Sequence, residues 1–125
     1  KYEEIVIIDN DKAIAKFFVE VVSDKERRQK GLMHRKKLNI NNGMLFDFKK
    51  KMNVTFWMKD TFIPLDIIFI NKDGFISKIY ENATPLSIEP ISSDTPVRAV
   101  LEINAGLVRN YKIKLGNRVE NKIFK

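Results

Sequence analysis

The run 56–70 constrains this chain more than any other stretch. It holds the only tryptophan, Trp57, and is dense in the apolar and β-branched residues that pack well on a pleated surface. It also carries Lys59, Asp60 and Asp66 among groups bound for the interior. A buried charge is costly unless it is paired or hydrogen-bonded. The partners of those charges therefore mark where to look for function.

The neighbouring sequence reads as further short strands. Segments 2–8 and 13–22 form an antiparallel hairpin about the turn Asp9-Asn10-Asp11. Ser23-Asp24-Lys25-Glu26 has the form of a capping box and opens a helix over about 24–34. In that helix Arg27 and Gly31 share a face, and Gly31 implies close approach to another backbone. Asn41-Asn42-Gly43 reads as a turn, 44–48 as a strand, Lys49-Lys50-Lys51 as a bend and 54–58 as a strand. Ile63-Pro64 interrupts the ladder, because proline cannot donate. Strand 65–71 then turns at Lys72-Asp73-Gly74 into strand 75–80. The connection 82–96, with Pro85, Pro90 and Pro96, is irregular and its length suggests an ordered loop. Strand 98–103, a helix from Asn104 to about residue 111, and 113–120 complete the chain. With 125 residues and 44% hydrophobic content, this makes one compact domain over 1–125. It is mainly β with two short helices, expected as a closed or nearly closed β-barrel.

Composition removes several chemistries. Without cysteine there is no disulfide, thiolate metal site or cysteine nucleophile, and His34 as the only histidine excludes a multi-histidine centre. Met33, Met44 and Met58 match no metal box and read as gap-filling residues, so neither a metal nor a cofactor is expected. No apolar run reaches the roughly 18–20 residues needed to cross a bilayer. The chain starts at Lys1 without methionine, which fits removal of a leader and an exported or envelope-associated protein. Between Asp24 and Lys51 ten Lys/Arg face three acids, an excess equal to the whole net charge of +7. A basic face of this kind attracts polyanions. Lysine clusters without interleaved aromatics speak against nucleic acid and for a solvated surface.

Six residues stand out as a candidate polar cluster. Asp66 lies between Leu65 and Ile67, and Glu102 between Leu101 and Ile103. In an alternating strand a lone acid points outward or needs a cation. Arg27, on a helix almost free of apolar residues, is the favoured cation because its planar fork grips a carboxylate with two bonds. Trp57, Lys59 and Thr61 alternate along one strand face. Three readings follow: a buried ion pair that fixes the helix to the sheet, the floor of a ligand pocket, or a carboxylate pair for hydrolysis through Asp66 and Glu102. Phe46, Phe48 and Phe56 read as core beside Trp57.

Five segments occur in one order: 27–35 (RRQKGLMHR), 43–48 (GMLFDF), 56–61 (FWMKDT), 65–69 (LDIIF) and 101–106 (LEINAG). Together they resemble the bacterial and archaeal family known as domain of unknown function 192, over about 22–119. The resemblance implies a compact β-rich domain, of a kind often exported or envelope-associated, and it carries no reaction. Asp60 stands where the family usually has Asn, and Asn117 where a Gly-Asp pair is common. The combined expectation is a non-enzymatic ligand-binding or accessory module for a small molecule or glycan. Its site lies where Trp57, Lys59 and Thr61 meet Arg27 and the 82–96 connection. Hydrolysis by the two acids and polyanion binding through 24–51 are the alternatives. Oligomeric state is not legible in the sequence.

Overall fold

The computed structural model describes residues 2–125. β1 (Tyr2–Asp9) and β2 (Lys12–Val22) form the expected hairpin, followed by α1 (Lys25–Lys30) and β3 (Asn42–Met52). β4 (Thr55–Phe56) and β7 (Ile91–Ser92) pair with each other as a small separate ladder. β5 (Leu65–Ile70), β6 (Ile76–Ala83), β8 (Val97–Asn104) and β9 (Arg118–Glu120) join β1, β2 and β3 in a seven-stranded sheet of order β6-β5-β8-β3-β2-β1-β9. β2 and β3 run parallel, with α1 in the crossover between them; the other neighbours are antiparallel. α2 (Leu107–Tyr111) follows β8.

β5 is buried at every position, which explains why its sequence reads as an apolar run rather than an alternation. The pleat still sorts its side chains. Ile68 and Ile70 enter one core with Ile5, Phe17, Leu101 and Ile103, which α2 helps to cover. Leu65, Ile67 and Phe69 enter a second core with Leu32, Met44, Phe46 and Met58. The sheet is thus apolar on both faces, and the second face carries the short ladder and the loop after α1.

The sheet is not a closed barrel, contrary to the sequence-based expectation. Its edge strands β6 and β9 are tied at one end by a single bridge, Phe75 to Arg118, and by hydrogen bonds such as Val119 N–H to the Gly74 carbonyl at 2.7 Å. The three residues of β9 form their ladder with β1, and only the isolated bridge reaches toward β6. Other boundaries also move. α1 is one and a half turns rather than three, because Gly31 adopts φ +48 at its end. Asp24, not Ser23, caps it, accepting from Arg27 N–H at 3.0 Å. Residues 49–51 extend β3 instead of forming a separate bend, with a register shift against β8 between Asp47 and Met52.

Gly43 lies inside β3 rather than in a turn. A Cβ there would stand 2.6 Å from the Glu102 carbonyl oxygen and 3.0 Å from the Ile103 Cγ2. Both obstacles belong to β8, and the nearer one is backbone, which does not yield by side-chain rotation. Gly43→Ala is therefore expected to cost about 2–3 kcal/mol of stability, read as a lower urea midpoint at unchanged slope.

Candidate functional site

An open cavity of about 820 Å³ lies between α1, the outer end of β3 and β4. Phe46, Phe48 and Phe56 line it as an aromatic cluster, with Phe56 edge-on to Phe46 at 4.9 Å and to Phe48 at 6.3 Å. Leu32 and Thr61 add to its lining, and Trp57 is 46% exposed at its edge. The local sequence explains the shape. A Cβ on Gly31 would sit 3.2 Å from Phe46 Cζ, so glycine lets the chain leave α1 directly across the Phe46 ring. The neighbour is the Phe46 side chain and not another backbone, contrary to the sequence-based expectation, and φ +48 at Gly31 itself favours glycine. Thr61 turns its hydroxyl to the Lys59 carbonyl at 3.1 Å.

Glu102 also lines the cavity and is only 4% exposed. Its strand neighbours in register are Met44 on β3 and Ile67 on β5, neither of which offers a polar group. No hydrogen bond to its carboxyl is found among the described residues. Burial alone acts on it and pushes its pKa up to about 8. Near neutral pH this is a protonated carboxyl, at once a donor and an acceptor, beside aromatic rings.

The structure brings three of the six candidates to the cavity: Trp57, Thr61 and Glu102. Lys59 stands beside them, its Nζ 5.3 Å from the centre of the Trp57 ring. Asp66 does not join them. Register places Ile67 opposite Glu102 and Asp66 opposite Ile103, so the two acids leave the sheet on opposite faces. Asp66 is fully buried and needs no cation. Its carboxylate accepts backbone N–H bonds from Asn82, Gly106 and Val108, each at 3.0 Å. It thereby serves the start of α2, a role expected of Asn104, whose amide instead donates to the Leu38 carbonyl at 2.6 Å.

Arg27 corrects the expectation of a buried ion pair. It is exposed, and its Nε bonds its own helix cap, Asp24, at 2.6 Å. With six residues and no apolar anchor, α1 has no face that forces Arg27 inward. The neighbouring Arg28 lines the cavity instead, its guanidinium 5.0 Å from the Phe48 ring and one Nη bonded to the Ser23 carbonyl. Lys25 and Lys30 complete a basic side, opposed only by Glu26. Farther along, Arg35 grips Glu20 with both terminal nitrogens and holds that carboxyl below its ordinary range. The basic segment 24–51 is thus partly internally paired. Among the described residues no group of three or more His, Asp or Glu could hold a metal, and no helix is long and apolar enough to cross a membrane.

A family model for domain of unknown function 192, described as Uncharacterized ACR, matches residues 6–121. No curated protein matches the chain. Among solved structures it is similar to a "putative transcription regulator" from Sinorhizobium meliloti 1021, with 40% identity and a TM-score of 0.94 over 98% of this chain and 95% of the other. It is also similar to a protein of unknown function from Novosphingobium aromaticivorans DSM 12444, with 36% identity and a TM-score of 0.91 over 96% of this chain and 85% of the other. Four of the five sequence segments that carry the family resemblance supply residues to the cavity: Met33, Phe46, Trp57 and Glu102 are one from each.

The two acids are expected to behave oppositely on substitution. Asp66→Asn puts an N–H₂ or a weaker acceptor against three backbone donors and should cost about 3 kcal/mol in chemical denaturation. Glu102 titrates at about 8 in the fold against an ordinary 4.5, so the folded state binds more protons between those values. Stability should be fullest below about pH 4.5, as far as this group is concerned, and fall as pH rises toward 8. Glu102→Gln should remove that slope and exceed the parent by as much as about 4–5 kcal/mol above pH 8. Parallel denaturation series at pH 5, 7 and 9 measure it.

Proposed function

Because the chain belongs to the domain of unknown function 192 family, whose description carries no reaction, we propose a function from the cavity: a non-enzymatic module that binds a small molecule. The observation that carries this reading is the buried Glu102 carboxyl, which lines the cavity and has no hydrogen-bond partner among the described residues. A buried polar group left unsatisfied lowers stability by roughly 1–3 kcal/mol. A ligand that supplies the missing hydrogen bond offsets that loss, and the adjacent aromatic rings add apolar contact area.

Binding is favoured over hydrolysis by the placement of the acids. Two carboxylates that share a bond-breaking step must flank one substrate bond. Asp66 and Glu102 point away from each other across a hydrogen-bonded sheet, and Asp66 is enclosed by backbone amides. Trp57 lines the cavity and is exposed, and Lys59 lies over its ring, so this pair is where we expect a ligand to be met on entry.

Thermal-shift screening with glycans and small anions tests the reading. A ligand at many times its Kd should raise the Tm by several degrees. Trp57→Ala and Lys59→Ala should each reduce that rise. A rise that both variants keep in full would place the ligand elsewhere and end the proposal.

A further inference from the structure

We propose that the cavity takes a planar heteroaromatic ligand with an anionic tail, of the nucleoside monophosphate class. The ring's donor–acceptor edge would meet the Glu102 carboxyl, and its phosphate would meet the cations of α1. The inference rests on the cavity reading and adds the ligand's chemistry to it.

Three features of one cavity match three parts of such a molecule. Glu102 is buried, lines the cavity and lacks a partner. A protonated carboxyl presents one donor and one acceptor side by side, which complements an amide or amidine edge such as those of the nucleobases. Burial alone lifts Glu102 to about 8, so this form prevails at neutral pH. Phe56, partly exposed, and Trp57, exposed, offer aromatic surface to a flat ring. Lys25, Arg28 and Lys30 on α1 provide three cations against the single acid Glu26, which suits a phosphate at that side.

Other ligand classes match fewer of these features. An aromatic cation would meet the basic side of α1. It would also find Arg28 already over the Phe48 ring and Lys59 over that of Trp57. A long-chain anion would satisfy the rim and the rings but leave the Glu102 carboxyl unpaired.

Isothermal titration of the full chain at pH 7 and low salt, with four probe types, decides among them. The probes are adenosine, guanosine and uridine monophosphates, their nucleosides, dodecyl phosphate and benzyltrimethylammonium. At least one monophosphate should bind, and its nucleoside at least tenfold more weakly. Arg28→Ala should weaken the monophosphate tenfold while leaving the nucleoside nearly unchanged. Glu102→Leu should weaken both, with its melting curve confirming the fold.

Should Glu102→Leu fail to fold, Glu102→Gln carries the test. It keeps a neutral donor and acceptor, so it should still bind. The parent's affinity for adenosine monophosphate should fall about tenfold from pH 7 to pH 9 as Glu102 ionises, and Glu102→Gln should abolish that fall. The flanking strands place only Met44 and Ile67 beside Glu102, and the charged cavity residues are Lys25, Glu26, Arg28 and Lys30. None of these ordinarily titrates between pH 7 and 9. Binding of dodecyl phosphate or the aromatic cation, with every monophosphate failing, would overturn the ligand class and leave the cavity reading in place. Failure of every probe, in a protein that also shows no shift with glycans or small anions, would overturn both.

Discussion

β8 is hydrogen-bonded on both edges, to β3 and β5, and enclosed on both faces from Ala99 to Ile103. A strand in that position has no solvent side, so the usual exit for a charged side chain does not exist. Leu101 and Ile103 satisfy the constraint by filling the core under α2, and Val100 by filling the opposite one. Glu102 satisfies it only because the sheet is uncovered locally, where Gly31 and Phe46 bring the chain past without sealing the space. The cavity and its carboxyl are therefore parts of one arrangement. Filling the first would strand the second.

Asp66 and Glu102 sit in near-identical sequence settings and reach opposite outcomes. Each is an acid between two buried aliphatic residues on adjacent strands. Asp66 meets three backbone N–H groups that the turn at Asn82 and the start of α2 leave without partners, so one short side chain settles several orphan donors. Asn82 takes φ +55 and Gly106 φ +96 at those turns. Its burial is an asset to the fold. Glu102 receives nothing comparable, and an aliphatic residue there would suit the core better. A residue that works against stability is a local departure from the rules the rest of the fold obeys, and such departures are expected at functional sites.

What the sequence made legible was local. The β1–β2 hairpin, the turn before β6 and the break at Pro64 rest on short-range patterns, and they hold. Trp57, Thr61 and Glu102 were also visible as polar or amphipathic groups in apolar sequence, although Trp57 and Thr61 lie in the loop between β4 and β5 and not on a strand. What failed depended on tertiary geometry. Choosing Arg27 over Arg28 required the exact rotation of a helix with no apolar stripe to orient it. The backbone amides that hold Asp66 carry no signature in side-chain sequence. Gly43 reads as a turn glycine because its spatial neighbour, Glu102, lies 59 residues away in the chain. The ion pair that does form inside the sheet, Asp47 with Arg98, joins two strands whose pairing the sequence did not reveal. Barrel closure turned on whether β9, already paired with β1, also meets β6 along its length, and such long-range pairing has no local signature in the sequence.

The oddity of α1 follows from its position. A helix without a single buried residue is poorly suited to be a core element, since packing of an apolar face supplies most helical stability in proteins. Here the anchor lies outside it, in Leu32, which enters the second core just past Gly31. The helix itself is held by the Asp24 cap, the Asp24–Arg27 pair and the bond from Arg28 to the Ser23 carbonyl. Its side chains are thus free to form one side of a cavity, and its charges need not be neutralised by the fold. An element so lightly attached belongs to the low-stability end of the molecule, where segments that admit ligands are drawn from. Of the ten basic residues between Asp24 and Lys51, three, Lys25, Arg28 and Lys30, line the cavity.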